Sequence, residues 1–332
     1  MRLIRHCGEL TADHRGCVVA LGNFDGVHLG HQAVILTAKR LAEAAGIPHA
    51  VMSFEPHPRS FFNPGQPPFR LTPFRVKSRL IEALGIDLLF MQHFDSQFAN
   101  QSADEFVDDV LVRCLGVRHV VVGYDYVFGR GRQGTCAFLQ TRGAARGFGV
   151  TVVPPAAIPG GEIYSSTRVR ENLLNGKPAD AAKLLGHYWE VEGRVEHGDA
   201  RGRAIGFPTA NLHLGEYQRP ATGVYAVRAG IDAGGATRWL NGVANFGRRP
   251  TFDKSEELLE VHLLDTAEDL YGRHLRVALV DHIRAERKFS GIDELTSRIA
   301  ADVAEARSLL TARHFPTECG PMVPIADDPR QP

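Results

Sequence analysis

Residues 1–185 alternate short apolar runs with stretches of helical periodicity. The β-branched run CVVALGNF (17–24) predicts a strand. HQAVILTAKRLAEAAG (31–46) spaces its apolar residues three and four apart and predicts a helix stopped by Gly46. HAVMSF (49–54), IDLLFM (86–91), RHVVVG (118–123) and GVTVVP (149–154) predict further strands. FRVKSRLIEALG (74–85) predicts a helix ending at Gly85. SADEFVDDVLVRCLG (102–116) predicts another, opened by Ser102 and Glu105 at capping-box spacing. Strands separated by helix-length crossovers point to a parallel α/β sheet.

The rhythm changes near residue 186. Two short helical stretches, 167–175 and 179–185, flank GKP (176–178). Strand-like runs then follow at HYWEVEGRV (187–195), GVYAVRAGI (223–231), TRWLNGVANF (237–246), LLEVHLL (258–264) and LRVALVDHI (275–283). Strands at this spacing, with Gly and Pro between them, predict a small antiparallel barrel. A helix is expected from Asp293 to about Arg313, and a Pro-rich, unpacked tail over 316–332.

Composition adds limits. A chain of 332 residues is long enough for two domains. With 38 basic and 38 acidic residues the formal charge is +0, so the broad positive footprint of a nucleic-acid binder is absent and no nucleic-acid partner is expected. No run of 18 apolar residues and no signal-peptide pattern occurs, so no membrane association is expected. The cysteines are Cys7, Cys17, Cys114, Cys136 and Cys319, an odd number without a CxxC pair. They are expected to be small buried hydrophobes of a protein in the reducing cytoplasm, not a disulfide framework or zinc ribbon. Self-association is left open.

The chemistry concentrates in two segments. GNFDGVHLGH (22–31) joins the first predicted strand to the first helix. Gly22, Gly26 and Gly30 let backbone pass close to a ligand, and the following helix offers free N–H groups and a positive dipole end. His28 and His31 can donate hydrogen bonds to phosphate oxygens there. In GDARGRAIGFPTANL (198–212), Gly198, Gly202 and Gly206 make a flexible loop, while Arg201 and Arg203 can pair with phosphates. Thr209 and Asn211, two apart on a strand, would present a hydroxyl and an amide oxygen on one side, suited to a hard cation such as Mg²⁺. From the residues alone this reads as a flexible barrel loop followed by a polar strand, Glu260 as the polar face of an alternating strand, and Ser165 and Ser166 as helix N-caps that can also meet phosphate.

HLGH after GNFDGV resembles the HxGH signature of the nucleotidyltransferase superfamily. With FEPHPRSFF (54–62), VVVGYDYVFGRGRQG (120–134) and SSTRVRENL (165–173), the pattern is similar to the bifunctional riboflavin kinase/FMN adenylyltransferase family. GFPTAN (206–211), GVYAV (223–227), GVANFGRRPTF (242–252), LEVHLLD (259–265), DLYG (269–272) and RAERKF (284–289) follow in family order.

The resemblance implies a Rossmann-like α/β nucleotidyltransferase domain over 1–185 and a Greek-key β-barrel kinase domain with a C-terminal helix over 186–315. It implies riboflavin, FMN and FAD as substrates or products, ATP as co-substrate and Mg²⁺ as cofactor. ATP contacts would come from Gly22, Asn23, Phe24 and Gly30 around His28 and His31, from Ser166, Thr167 and Arg170 at the triphosphate, and from Gly202, Arg203 and Gly206 in the barrel. Phe62, Asp125, Phe128, Arg284 and Phe289 would meet flavin, Thr209 and Asn211 would hold the metal, and Glu260 would be the kinase base; His57 is a further candidate. Three positions depart from the family pattern: Tyr126 for a usual Phe, Thr135 for a commoner Asp and Phe246 for a common Ile. A flavin carrier without turnover is the contrasting reading, disfavoured because a carrier needs no triphosphate site.

Overall fold

The computed structural model describes residues 1–157, 161, 163–197, 202, 205–232, 237–250, 255–266, 268–313 and 315, with the side chains of 248–250, 255 and 256 left out. The tail at 316–332 and residues Gly198, Arg201, Arg203 and Cys319 therefore lie outside the described residues. The described chain divides into two units: Met1–Pro67 with Phe74–Tyr164, and Pro68–Pro73 with the residues from Ser165 on.

The first unit is a six-stranded sheet of β1 (Arg2–Ile4), β2 (Val18–Leu21), β3 (His49–Glu55), β4 (Leu88–His93), β5 (His119–Gly123) and β6 (Gly149–Val153). Its order is β1-β4-β3-β2-β5-β6 and every pairing is parallel. Parallel strands need crossovers, and α1 (Leu29–Ala45) and α3 (Phe74–Ala83) supply them on one face. Val18, Ala20, Val51, Leu89 and Val121 alternate toward these helices and pack on Ile35, Ala38 and Ile81. Val19, Leu21, Met52, Phe90 and Val120 turn the other way into a second core with Phe106, Leu111 and Leu139. Gly46 ends α1 with φ 64°, the left-handed stop expected from sequence.

Four elements lie outside the sequence pattern: β1, α2 (Pro58–Phe62), α4 (Ser96–Ala99) and α6 (Cys136–Arg146); the expected helix over 102–116 begins as the single turn α5 (Ala103–Glu105). The capping box forms as expected, with the Glu105 N–H donating to Ser102 Oγ (3.2 Å) and the Ser102 N–H to Glu105 Oε2 (2.7 Å). Beyond it, Phe106–Leu115 is a π-helix instead of the expected α-helix. Its buried residues are 106, 107, 110, 111, 114 and 115, a strict repeat of four. An α-helix would rotate that stripe about 40° per repeat away from the sheet, and the wider i→i+5 winding reduces this drift.

The cysteine expectation is corrected. Cys7 and Cys114 form a disulfide, with Cα atoms 5.4 Å apart across a sequence separation of 107. Parity and spacing carry no information about two residues that meet only through the fold. Cys17 is a buried free thiol, as expected, and Cys136 is partly buried.

The second unit is an antiparallel six-stranded barrel of β7 (Glu190–Arg194), β8 (Ala210–His213), β9 (Gly223–Asp232), β10 (Thr237–Pro250), β11 (Ser255–Leu263) and β12 (His274–Arg284), in the order β7-β12-β9-β10-β11-β8. The chain just past β7 closes the circle through a bridge between Glu196 and Asn211. Helices α7 (Ser166–Leu174), α8 (Pro178–Leu185) and α9 (Ile292–Thr311) group with it. Ala182, Ala306 and Leu310 pack over Val224, Ala226, Ala278 and Val280. Residues 68–73 join as a strap: the Arg70 N–H donates to Glu216 O (3.1 Å), and the buried Trp189 Nε1 to Leu71 O (2.9 Å). Among the described residues no helix is long and apolar enough to cross a membrane.

Candidate functional site

In the first unit, the carboxyl end of β2 feeds a loop that climbs to the amino end of α1. Phe24 (φ 48°) and Val27 (φ 44°) adopt left-handed backbone without being glycine, and Gly26 has φ 92°. Such strain persists only where surroundings impose it, and it concentrates at functional sites. Three groups impose it here. The Asn23 carbonyl accepts from Lys77 Nζ (2.8 Å) and Ser53 Oγ (3.1 Å), and the Val27 carbonyl from Gln32 Nε2 (2.8 Å). Lys77 is fully buried, and its ammonium is held beneath the loop by the Asn23 carbonyl and the Ser53 hydroxyl.

The loop delivers His28 to the N-cap of α1, where its Nδ1 accepts from the His31 N–H (3.3 Å). The two rings stack with centroids 3.6 Å apart, and Phe24 meets His31 edge-on at 5.4 Å. A Cβ at Gly30 would come within 3.1 Å of the His28 ring, and one at Gly22 within 2.8 Å of Phe24. Both glycines are therefore required by side chains of the same motif. The result is two imidazoles at the positive end of a 17-residue helix, a site suited to a phosphate.

His57 caps α2, its Nδ1 accepting from the Arg59 N–H (3.0 Å). That helix presents Phe62, which is 62% exposed and edge-on to Phe61 and Phe94. Asp125 is exposed on the loop after β5. Phe128 is buried among Phe106, Tyr126 and Phe138. The triphosphate candidates lie on α7, in the second unit. Ser165 is the N-cap, its Oγ accepting from the Arg168 N–H (3.3 Å), and Ser166 opens the helix. Arg170 Nε donates to Phe69 O (2.9 Å) while the guanidinium covers the Phe69 ring. Arg168 pairs with Glu171 on the exposed side.

In the barrel, Glu260 on β11 stands opposite Asn211 on β8 and opposite Asn245 on β10. Directly paired residues share a face, so the three form a polar row across adjacent strands. Asn211 is buried, and its Oδ1 has no partner among the described residues. An orphaned buried carbonyl oxygen next to a carboxylate-bearing strand fits a hard cation. Thr209 precedes the strand, which starts at Ala210. A Cβ at Gly202 would strike Phe207 O at 2.3 Å, and Gly206 has φ 86°, so the loop depends on both. Arg284 is clamped by Asp302 on α9 through Nε (3.0 Å) and Nη2 (2.7 Å), and it shares the face of Phe289 with Arg287.

The FAD synthetase family model matches residues 10–168 and the riboflavin kinase family model matches residues 185–310. The bifunctional riboflavin kinase/FMN adenylyltransferase of Escherichia coli (strain K12) is 44% identical over 316 residues, covering 95% of this chain and 98% of that protein. The chain belongs to the bifunctional riboflavin kinase/FMN adenylyltransferase family. The Bacillus subtilis (strain 168) relative is 42% identical, over 87% of this chain and 91% of its own length. A crystal structure described as a macrolide-efflux protein from Streptococcus pneumoniae superposes with a TM-score of 0.81 at 33% identity, covering 92% of this chain and 98% of that one.

The FAD synthetase part carries the imidazole pair and the riboflavin kinase part the polar row. Sequence reasoning missed Lys77, Ser53 and Asn245. Lys77 had a signal: it stands four residues before the buried Ile81, on the apolar face of α3.

Proposed function

We propose that the barrel transfers the γ-phosphate of ATP to riboflavin, and that the α/β unit transfers the adenylyl group of a second ATP to the resulting FMN, releasing pyrophosphate. The reading is carried by two separate sets of chemistry on one chain: stacked imidazoles at a helix amino end in one unit, and a glutamate between two asparagines in the other.

In the kinase step Glu260 accepts the proton of the ribityl 5′-hydroxyl as the oxygen attacks the γ-phosphorus. Asn211, with Thr209, would hold Mg²⁺, and the cation would supply charge to neutralise the triphosphate. Gly202, Arg203 and Gly206 cradle the phosphates, and Arg284 and Phe289 border the flavin. In the adenylyl step the FMN phosphate attacks the α-phosphorus. His28 and His31 donate to the oxygens on which charge develops, while Gly22, Asn23, Phe24 and Gly30 let the nucleotide approach the backbone. Ser166, Thr167 and Arg170 hold the β- and γ-phosphates. Phe62, Asp125 and Phe128 border the flavin, and His57 orders the turn that presents Phe62. No enzyme-bound covalent intermediate forms. The chain is assigned to the cytoplasm, and domain limits of 1–185 and 186–315 remain our division by function.

The test is a double dissociation. Riboflavin, ATP and Mg²⁺ are incubated with each variant, and FMN and FAD are separated by chromatography. His28→Ala should stop at FMN. Glu260→Gln should lose FMN formation yet still convert supplied FMN to FAD. Full FAD synthesis by the first, or full kinase turnover by the second, would remove the corresponding assignment.

A further inference from the structure

The disulfide has no part in either transfer, yet it joins elements that no other covalent link connects. Cys7 opens a short 3-10 turn (Cys7–Glu9) in the segment before β2, and Cys114 lies in the last turn of the π-helix. The two residues differ in access: Cys7 is exposed and Cys114 is buried, at 7% exposure. Around the disulfide the segment holds on by scattered contacts: Ile4 is buried in the core, the Met1 amino group pairs with Glu82 (3.5 Å) and Arg5 covers the Phe74 ring. β1 contributes a three-residue pairing, Arg2–Ile4 with Leu88–Phe90. The turns after it bond mainly to themselves, as in Glu9 N–H to His6 O and His14 N–H to Thr11 O, until Arg15 Nη2 donates to Arg113 O and Gly16 N–H to Leu115 O (3.2 Å). In a cytoplasmic protein, which is the compartment proposed above, such a bond is exchangeable rather than permanent.

We propose that Cys7 and Cys114 form a reversible thiol–disulfide site that fastens residues 1–16 to the π-helix when oxidised, with Cys7 the entry point for a low-molecular-weight disulfide. The Cys7 thiolate attacks one sulfur of glutathione disulfide, forming a mixed disulfide and expelling one glutathione thiolate. The Cys114 thiolate then attacks the Cys7 sulfur, closing the internal bond and expelling the second glutathione. Two electrons pass from the cysteine pair to the glutathione disulfide, and two protons leave the thiols. Burial sets the order, because an external disulfide reaches Cys7 and not Cys114. The other described thiols do not compete: Cys17 is enclosed in the core, and the Cys136 sulfur faces the carbonyls of Gly123, Tyr124 and Tyr126.

The experiment uses the full chain carrying Cys319→Ser, equilibrated in glutathione buffers from reduced to oxidised, alkylated and read by intact and peptide mass spectrometry. The parent should convert between a dithiol and an internal Cys7–Cys114 bond. With Cys114→Ala added, Cys7 should be trapped carrying one glutathione. With Cys7→Ser added, Cys114 should carry none. Trypsin should cut after Arg5 and Arg15 several-fold faster in the reduced parent and in Cys7→Ser than in the oxidised parent. Free thiols at both positions in the most oxidising buffer would overturn the proposal, and so would equal glutathione capture by both single variants or cleavage rates independent of redox state. Cys7→Ser at an exposed position keeps the test valid should Cys114→Ala fold poorly.

Discussion

His49 gives the first unit a pH limit that can be worked out from its surroundings. It sits at the start of β3, 2% exposed, with its ring enclosed beside the backbone of Ile35 on α1. Burial pushes its pKa from 6.5 down to about 4; Asp87 and a hydrogen bond with the Ile35 backbone oppose this, and Lys39 acts in the same direction as burial. The folded state therefore refuses a proton that the unfolded state accepts between these values. Unfolding takes up protons, so stability falls as pH drops through this window and is fully restored above pH 6.5. A shift of this size corresponds to about 3.4 kcal/mol at full effect, and to about 2.5 kcal/mol between pH 7.5 and 4.5.

Leucine at this position cannot titrate, so His49→Leu should flatten that slope, with a loss at pH 7.5 of about 1 kcal/mol for the hydrogen bond with the Ile35 backbone. Urea unfolding followed by far-UV circular dichroism across this range measures it. Both tryptophans, Trp189 and Trp239, belong to the second unit, so their fluorescence supplies an internal control that the substitution should leave unchanged. Parallel stability–pH curves for parent and variant in the first unit's transition would refute the reasoning.

The remaining predictions concern supports of the two sites. Lys77→Met leaves the Asn23 carbonyl and Ser53 hydroxyl without their buried cation, a loss of about 1–3 kcal/mol in loop order; FAD formation should fall at least tenfold with FMN formation unchanged, as read in coupled and uncoupled assays. Asp302→Asn removes the carboxylate that clamps Arg284 and Arg298, both partly exposed, so about 2 kcal/mol should be lost from the tryptophan-detected transition. Chelation of divalent metal should stop both reactions, and Asn211→Ala should raise the Mg²⁺ concentration needed for FMN formation without changing that for FAD formation, measured by Mg²⁺ titration of each step.

The sequence by itself determined the order of the elements and the chemistry of the motifs. Periodicity is local: β-branched runs read as β2, β3 and β5, the stripe of α1 and its Gly46 stop read as a helix, and the Ser102–Glu105 box formed as spaced. The motif HLGH likewise kept its two histidines together, because residues three apart at a helix start are neighbours in any fold. The tertiary structure decided whatever depends on residues far apart in the chain. Lys77 reaches Asn23 across 54 positions, Glu260 pairs with Asn211 on the neighbouring strand, and Cys7 finds Cys114 across 107. The strap 68–73 and helices α7 and α8 group with the barrel although the chain order places them with the sheet. Sequence spacing fixes which groups share a face of one element; which elements share a core is set by burying apolar surface from both, and only the folded chain contains that pairing.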